Sequence, residues 1–138
     1  MRGTATLNTH DPNRTDSTNI ERLLQRVHDG NEEELGRAFQ RYRNYLILVA
    51  SMGVPDRLKS KIDASDVVQE TFIQVRERFG LFRGTTESEF RAWLRQILAT
   101  EISHQCRRFS TQKRDAHIEV DVRQALDQSS MQIQQGLI

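Results

Sequence analysis

The sequence has one cysteine and two prolines in 138 residues, and only 7% of it is aromatic. Cys106 has no second cysteine with which to close an internal disulfide, which fits a reducing compartment. Scarce prolines and few turn residues through the middle of the chain favour helices over many short strands. No apolar run is long enough to span a membrane, and no signal-peptide pattern is seen. The cytoplasm is therefore the expected location, with no membrane partner. A glycine-rich phosphate loop and a nucleophile-elbow pattern are both missing, so the chain is not expected to be an enzyme. His10, His28, His104 and His117 are scattered. His104 and Cys106 stand two apart on one helical stretch and point to different faces. Neither a metal site nor a cofactor is expected.

A strong charge of one sign is missing too. The formal net charge is only +1, with 28% of residues charged and 36% hydrophobic, the composition of a soluble protein with room for one compact domain. Distribution says more than the sum. His104 to Arg114 holds four positive charges (Arg107, Arg108, Lys113, Arg114) and no acid, whereas Asp115 to the end holds four acids and one base. A basic patch is followed by an acidic tail.

What is present is helical periodicity. Residues 1–17 are polar and are expected to be a disordered leader. Ile20, Leu23, Leu24 and Val27 share one helix face, ended by Asp29-Gly30-Asn31. Gly30 suits a left-handed C-cap and Asn31 an N-cap. Glu32, Glu33 and Glu34 suit the first turn of a second helix. Leu35, Ala38, Phe39, Tyr42, Tyr45, Leu46, Leu48 and Val49 continue it until Gly53 and Pro55. A basic connector, 56–62, follows.

Asp63 is the expected N-cap of a third helix running to about Phe79, with Asp66 in capping-box position. Its apolar stripe is Ala64, Val68, Phe72, Val75 and Phe79. Thr86 and Glu89 form a second capping-box pattern ahead of a long helix reaching about Phe109. Phe90, Trp93, Leu94, Ile97, Leu98, Ile102 and Cys106 are its apolar positions, and Trp93 reads as core rather than as a base-stacking residue. Residues 116–138 read as a short helix or a linker. No segment reads as a strand. The expected fold is all-α, a compact bundle of three to four helices over residues 18–115.

Two constellations stand out. The stripe Asp66, Gln69, Glu70, Ile73 and Arg76, continued by Glu77, sets an apolar residue among acids and an amide. It is either a docking face for a partner helix or a plain solvated face. The basic end of the long helix is either a phosphate clamp or an answer to the helix dipole. In the first case Arg107, Arg108, Lys113 and Arg114 hold phosphates. Phe109 and His104 stack on an unpaired base, and Ser110, Thr111 and Gln112 meet base edges.

The stretch DASDVVQETF at 63–72 closely resembles the Asp-Ala-x-Asp-hydrophobic-hydrophobic-Gln-Glu-x-Phe signature of extracytoplasmic-function (ECF) sigma factors. FRAWLRQIL at 90–98, followed by Arg107 and Arg108, resembles their next signature, and FRG at 82–84 fits the interval between them. The resemblance covers about Ile20 to Val120.

The resemblance implies a sigma region 2 fold and a role in transcription initiation. The third helix would dock on the coiled coil of the polymerase beta-prime subunit through Asp66, Gln69, Glu70, Ile73 and Arg76. The long helix and its basic loop would read and help melt the promoter minus-ten element on the non-template strand. The matching positions there are Thr100, His104, Arg107, Arg108 and Phe109 to Arg114, with Thr111, Lys113 and Arg114 among them. An anti-sigma factor would be a further partner.

Three positions depart from the pattern. Thr100 stands where many members carry Asn, and His104 where many carry Asp. Ala92 stands where housekeeping sigma factors carry a second tryptophan, so melting by a tryptophan pair is not expected. The family normally continues through a linker into a helix-turn-helix domain. Residues 116–138 would be that linker, and the chain would be either a fragment or a naturally short protein. The alternative role is a sigma-like interaction module that titrates core polymerase or an anti-sigma factor without initiating.

Overall fold

The computed structural model describes residues 12–30, 32–109 and 118–136. Among these residues there are five helices and no strand, and the fold class is the expected all-helical bundle. They are α1 (Pro12–His28), α2 (Glu32–Gly53), α3 (Ala64–Arg78), α4 (Glu87–Arg108) and α5 (Ile118–Gln134).

The predicted apolar faces of the first two helices turn inward. Ile20, Leu24 and Val27 of α1 are buried, and so are Leu35, Ala38, Phe39, Tyr42, Leu46 and Val49 of α2. Leu48 is the exception and faces solvent. Gly30 ends α1 with φ of 99°, the left-handed conformation for which a residue without Cβ is suited. The N-cap expected at Asn31 lies outside the described residues. Pro55 follows the end of α2, and a 3-10 turn at Asp56–Leu58 leads on through the basic connector. Leu58 and Ile62 are buried and pin the connector to the core.

The two predicted N-caps that lie among the described residues, Asp63 and Thr86, both form. The Asp63 carboxylate accepts from the backbone N–H groups of Ser65 and Asp66 at 2.8 and 3.2 Å. Thr86 and Glu89 make a reciprocal capping box at the start of α4. Glu89 accepts from the N–H groups of Thr85 and Thr86, which lower its carboxyl below the ordinary value. Ahead of this box, Phe79 and Phe82 gather with Phe90 and Trp93 in an aromatic cluster, with Phe82 and Trp93 centroids 4.9 Å apart. Gly84 runs against it: a Cβ there would lie 2.6 Å from the Phe82 ring and 2.9 Å from Glu89. The FRG interval is thus a close approach that only glycine permits.

Two segments differ from expectation. Helix α1 begins at Pro12, inside the stretch expected to be a disordered leader. The stretch 116–138, read as a short helix or as the linker the resemblance implies, carries α5, a 17-residue helix packed on α2 and α4. Ile118, Val122 and Leu126 are buried at successive steps of four, and a Cβ on Gly53 would collide with Leu126. The apolar row then passes to Ser129 and Ser130, both buried, which hides it from a hydropathy pattern. Helix α4 packs against α1, α2, α3 and α5. Residues around much of its girth are consequently buried, Ala99, Glu101 and Ser103 as well as most of the predicted apolar set. Ser103 donates back to the Ala99 carbonyl at 2.7 Å, and Glu101 accepts from Gln105 at 3.2 Å, so both polar groups find partners inside.

Candidate partner-docking and nucleic-acid surfaces

Helix α3 holds its inner face with Val67, Val68, Thr71 and Val75, all buried. Thr71 is tolerated among them because its hydroxyl donates to the Val67 carbonyl at 2.8 Å. Phe72, expected at the core, is only half-buried, with its ring 4.7 Å from that of Phe39. Arg43 of α2 donates to Ser65 at 3.2 Å and ties down the start of the helix.

Once that face is committed, the rotation of α3 is set. Asp66, Gln69, Glu70, Ile73 and Arg76 all lie on its exposed side. They fall at steps of three and four, so they form one continuous strip. Ile73 is 43% exposed in the middle of it. Arg76 lies with its guanidinium 6.0 Å from the centre of the Phe72 ring, which orients the only base of the set. The strip is therefore a mostly acidic and amide surface with one apolar centre, carried on a helix anchored at its start and along its inner face.

The second surface is the end of α4. Thr100, His104, Arg107 and Arg108 recur at steps of three and four on the side of α4 left open by its neighbours. Thr100 is half-buried and its hydroxyl donates to the Gln96 carbonyl at 3.1 Å, which leaves its oxygen as an acceptor. His104, Arg107 and Arg108 are exposed, and no carboxylate among the described residues pairs with either arginine. Phe109 caps the helix through its N–H to the Cys106 carbonyl at 3.1 Å, with its side chain 45% exposed. Thr111, Lys113 and Arg114 lie outside the described residues.

The arginines of the FRAWLR motif do something different. Arg91 pairs with Glu87 at 3.0 Å and lies over the Tyr45 ring. Arg95 reaches Asp127 at 3.1 Å, Tyr45 at 3.0 Å and Ser130 at 3.2 Å, and the Tyr45 and Ser130 hydroxyls meet at 2.6 Å. One guanidinium thus joins α2, α4 and α5. Burial works against its charge, but the hydrogen bonds to Tyr45 and Asp127 outweigh it and hold its pKa above the ordinary value. Nearby, burial pushes the Tyr42 phenol well above its usual range, and the Glu87 carboxylate adds to the effect.

Sequence reasoning missed this polar cluster and one further residue. Lys61, in the connector ahead of α3, places its ammonium 5.6 Å from the centre of the Phe109 ring. The basic character of the connector is the one signal in the sequence, and nothing in a linear pattern ties residue 61 to residue 109. Among the described residues, no three His, Cys, Asp or Glu side chains group as a metal would require, and no helix is long and apolar enough to cross a membrane.

Residues 38–112 match the protein-family model described as sigma-70 region 2. The match runs from α2 to just beyond α4, more than half of the chain, and takes in both surfaces. No curated protein and no solved structure matches the chain.

Proposed function

The chain belongs to the sigma-70 region 2 family, which points to promoter recognition and binding of core RNA polymerase, and on that premise we propose an ECF-type promoter-specificity role divided between two surfaces. The outer strip of α3 docks on the beta-prime coiled coil. The end of α4, with the basic residues that follow it in the sequence, holds the non-template strand of the minus-ten element.

The observation that carries this role is the exposed strip on α3. The inner face of the helix is filled and its start is capped, yet Asp66, Gln69, Glu70, Ile73 and Arg76 stay open to solvent. An open apolar residue ringed by acids and an amide suits a partner helix of opposite charge. The second surface has two arginines with no carboxylate partner among the described residues, beside an exposed aromatic ring. Those are the two elements of single-strand binding, charge for the backbone and a platform for a base.

The test is a titration of core polymerase with the chain, followed by addition of a single-stranded non-template oligonucleotide. Core binding followed by oligonucleotide capture is the expected result. Failure to bind core polymerase overturns the docking assignment. Replacing Arg107 and Arg108 with Gln should flatten the dependence of oligonucleotide affinity on salt by about 1.4 in log–log slope, roughly 0.7 for each phosphate no longer neutralised. An unchanged slope overturns the nucleic-acid assignment. Core binding with no promoter opening by the assembled holoenzyme would favour the titrating module instead.

A further inference from the structure

The connector between α2 and α3 is short and basic, and its conformation is closely determined. Leu58 and Ile62 are both buried. Between them, the N–H groups of Lys61 and Ile62 donate to the Leu58 carbonyl at 2.9 and 3.0 Å. Asp63 then caps α3. Lys61 therefore projects from a turn anchored on each side.

The charges of this connector are not equivalent. Lys59 is paired with Asp56 at 3.4 Å. Among the described residues no carboxylate pairs with Lys61; its ammonium lies over the Phe109 ring at 5.6 Å instead. That places a cation from the α2–α3 connector beside the segment that carries Arg107 and Arg108, which directly precede Phe109 in the chain. Ammonium over an aromatic face is a modest attraction at an exposed site, enough to orient the side chain while leaving its donors open.

We propose that Lys61 is part of the nucleic-acid surface, where it contacts a backbone phosphate of the same single strand whose base meets Phe109. The interface then spans two segments, the connector and the end of α4, and the Lys61–Phe109 contact sets the spacing between a phosphate and a stacked base. With Lys61 on one face of the ring, only the opposite face is left for the base. The inference rests on reading the end of α4 as a single-strand site.

The experiment uses the whole chain and a fluorescently labelled single-stranded oligodeoxynucleotide, titrated over a range of salt concentrations. Lys61→Gln should make the log–log salt slope shallower by about 0.7 and weaken binding about five-fold at 0.1 M salt, the contribution of one phosphate contact. Lys61→Arg, which keeps both charge and ring contact, should behave like the wild type. Arg107→Gln provides the reference. If Arg107→Gln flattens the slope and Lys61→Gln leaves it unchanged, this inference fails and the α4 site stands. If neither change alters the slope, the α4 site itself fails and Lys61 with it. Thermal melting should be the same for all three variants, because both side chains are exposed and outside the core.

Discussion

Two neighbouring helices each carry acids and arginine in rows, and the bundle uses the two rows in opposite ways. On α3, Asp66, Glu70 and Arg76 face outward, and Asp66 and Glu70 have no ion-pair partner among the described residues. On α4, Glu87, Arg91 and Arg95 sit along the side that meets α2 and α5 and are engaged inside the molecule. The first row is available to a partner; the second is occupied by the fold. Both rows mix acids with arginine, so composition alone does not separate them; what does is whether another helix lies across the row.

The sharpest test of this contrast is exchange of phenotype. Glu70→Lys should weaken binding to core polymerase about a hundred-fold, in keeping with the several kcal/mol that a like-charge placement costs at an interface. Its melting temperature should stay near wild type, since an exposed substitution away from caps and core shifts stability by only about 0.5 kcal/mol. A large loss of stability would break the comparison, because it would show that the α3 row is also structural.

Arg95→Ala is the converse. It leaves the Tyr45 and Ser130 hydroxyls without their shared donor and removes the link to Asp127. A drop of about 2 kcal/mol in denaturant unfolding is expected, within the range for losing hydrogen bonds made by a charged group. Core affinity per folded molecule should be unchanged. An Arg95→Ala chain with wild-type stability would mean that α5 is held by Ile118, Val122 and Leu126 alone.

The smallest expected effect concerns Glu89, whose pKa is depressed by the Thr85 and Thr86 N–H groups. A carboxylate with a depressed folded pKa stabilises the fold above its unfolded value and loses that contribution as pH falls through the folded value. Wild type should therefore melt above Glu89→Gln at neutral pH. The two should converge as the pH drops below about 4, near the ordinary glutamate pKa. A gap that persists at low pH would show that the cap does not depend on ionisation.

Much of this architecture is legible in residue spacing alone. The inward faces of α1 and α2, the caps at Asp63 and Thr86, and the strip on α3 all follow from residues three or four apart. Helix α5 is not legible in that way, because Ser129 and Ser130 stand where its apolar row should continue. Ser130 is accommodated by a group far away in sequence: it meets Tyr45 across 85 positions. The same limit hides Lys61, whose partner ring is at the end of another helix.

Most of the helices, the caps that start α3 and α4, the faces that turn inward and the all-α class follow from residue order, because they depend on neighbours within a turn or two. Packing of the helices fixes which charges remain available and which are tied up between them. It makes Arg95 a link between α2, α4 and α5, and it brings a connector lysine to the ring at the end of α4. Those outcomes depend on which surfaces meet across the bundle, and no helical period along a single chain segment encodes that.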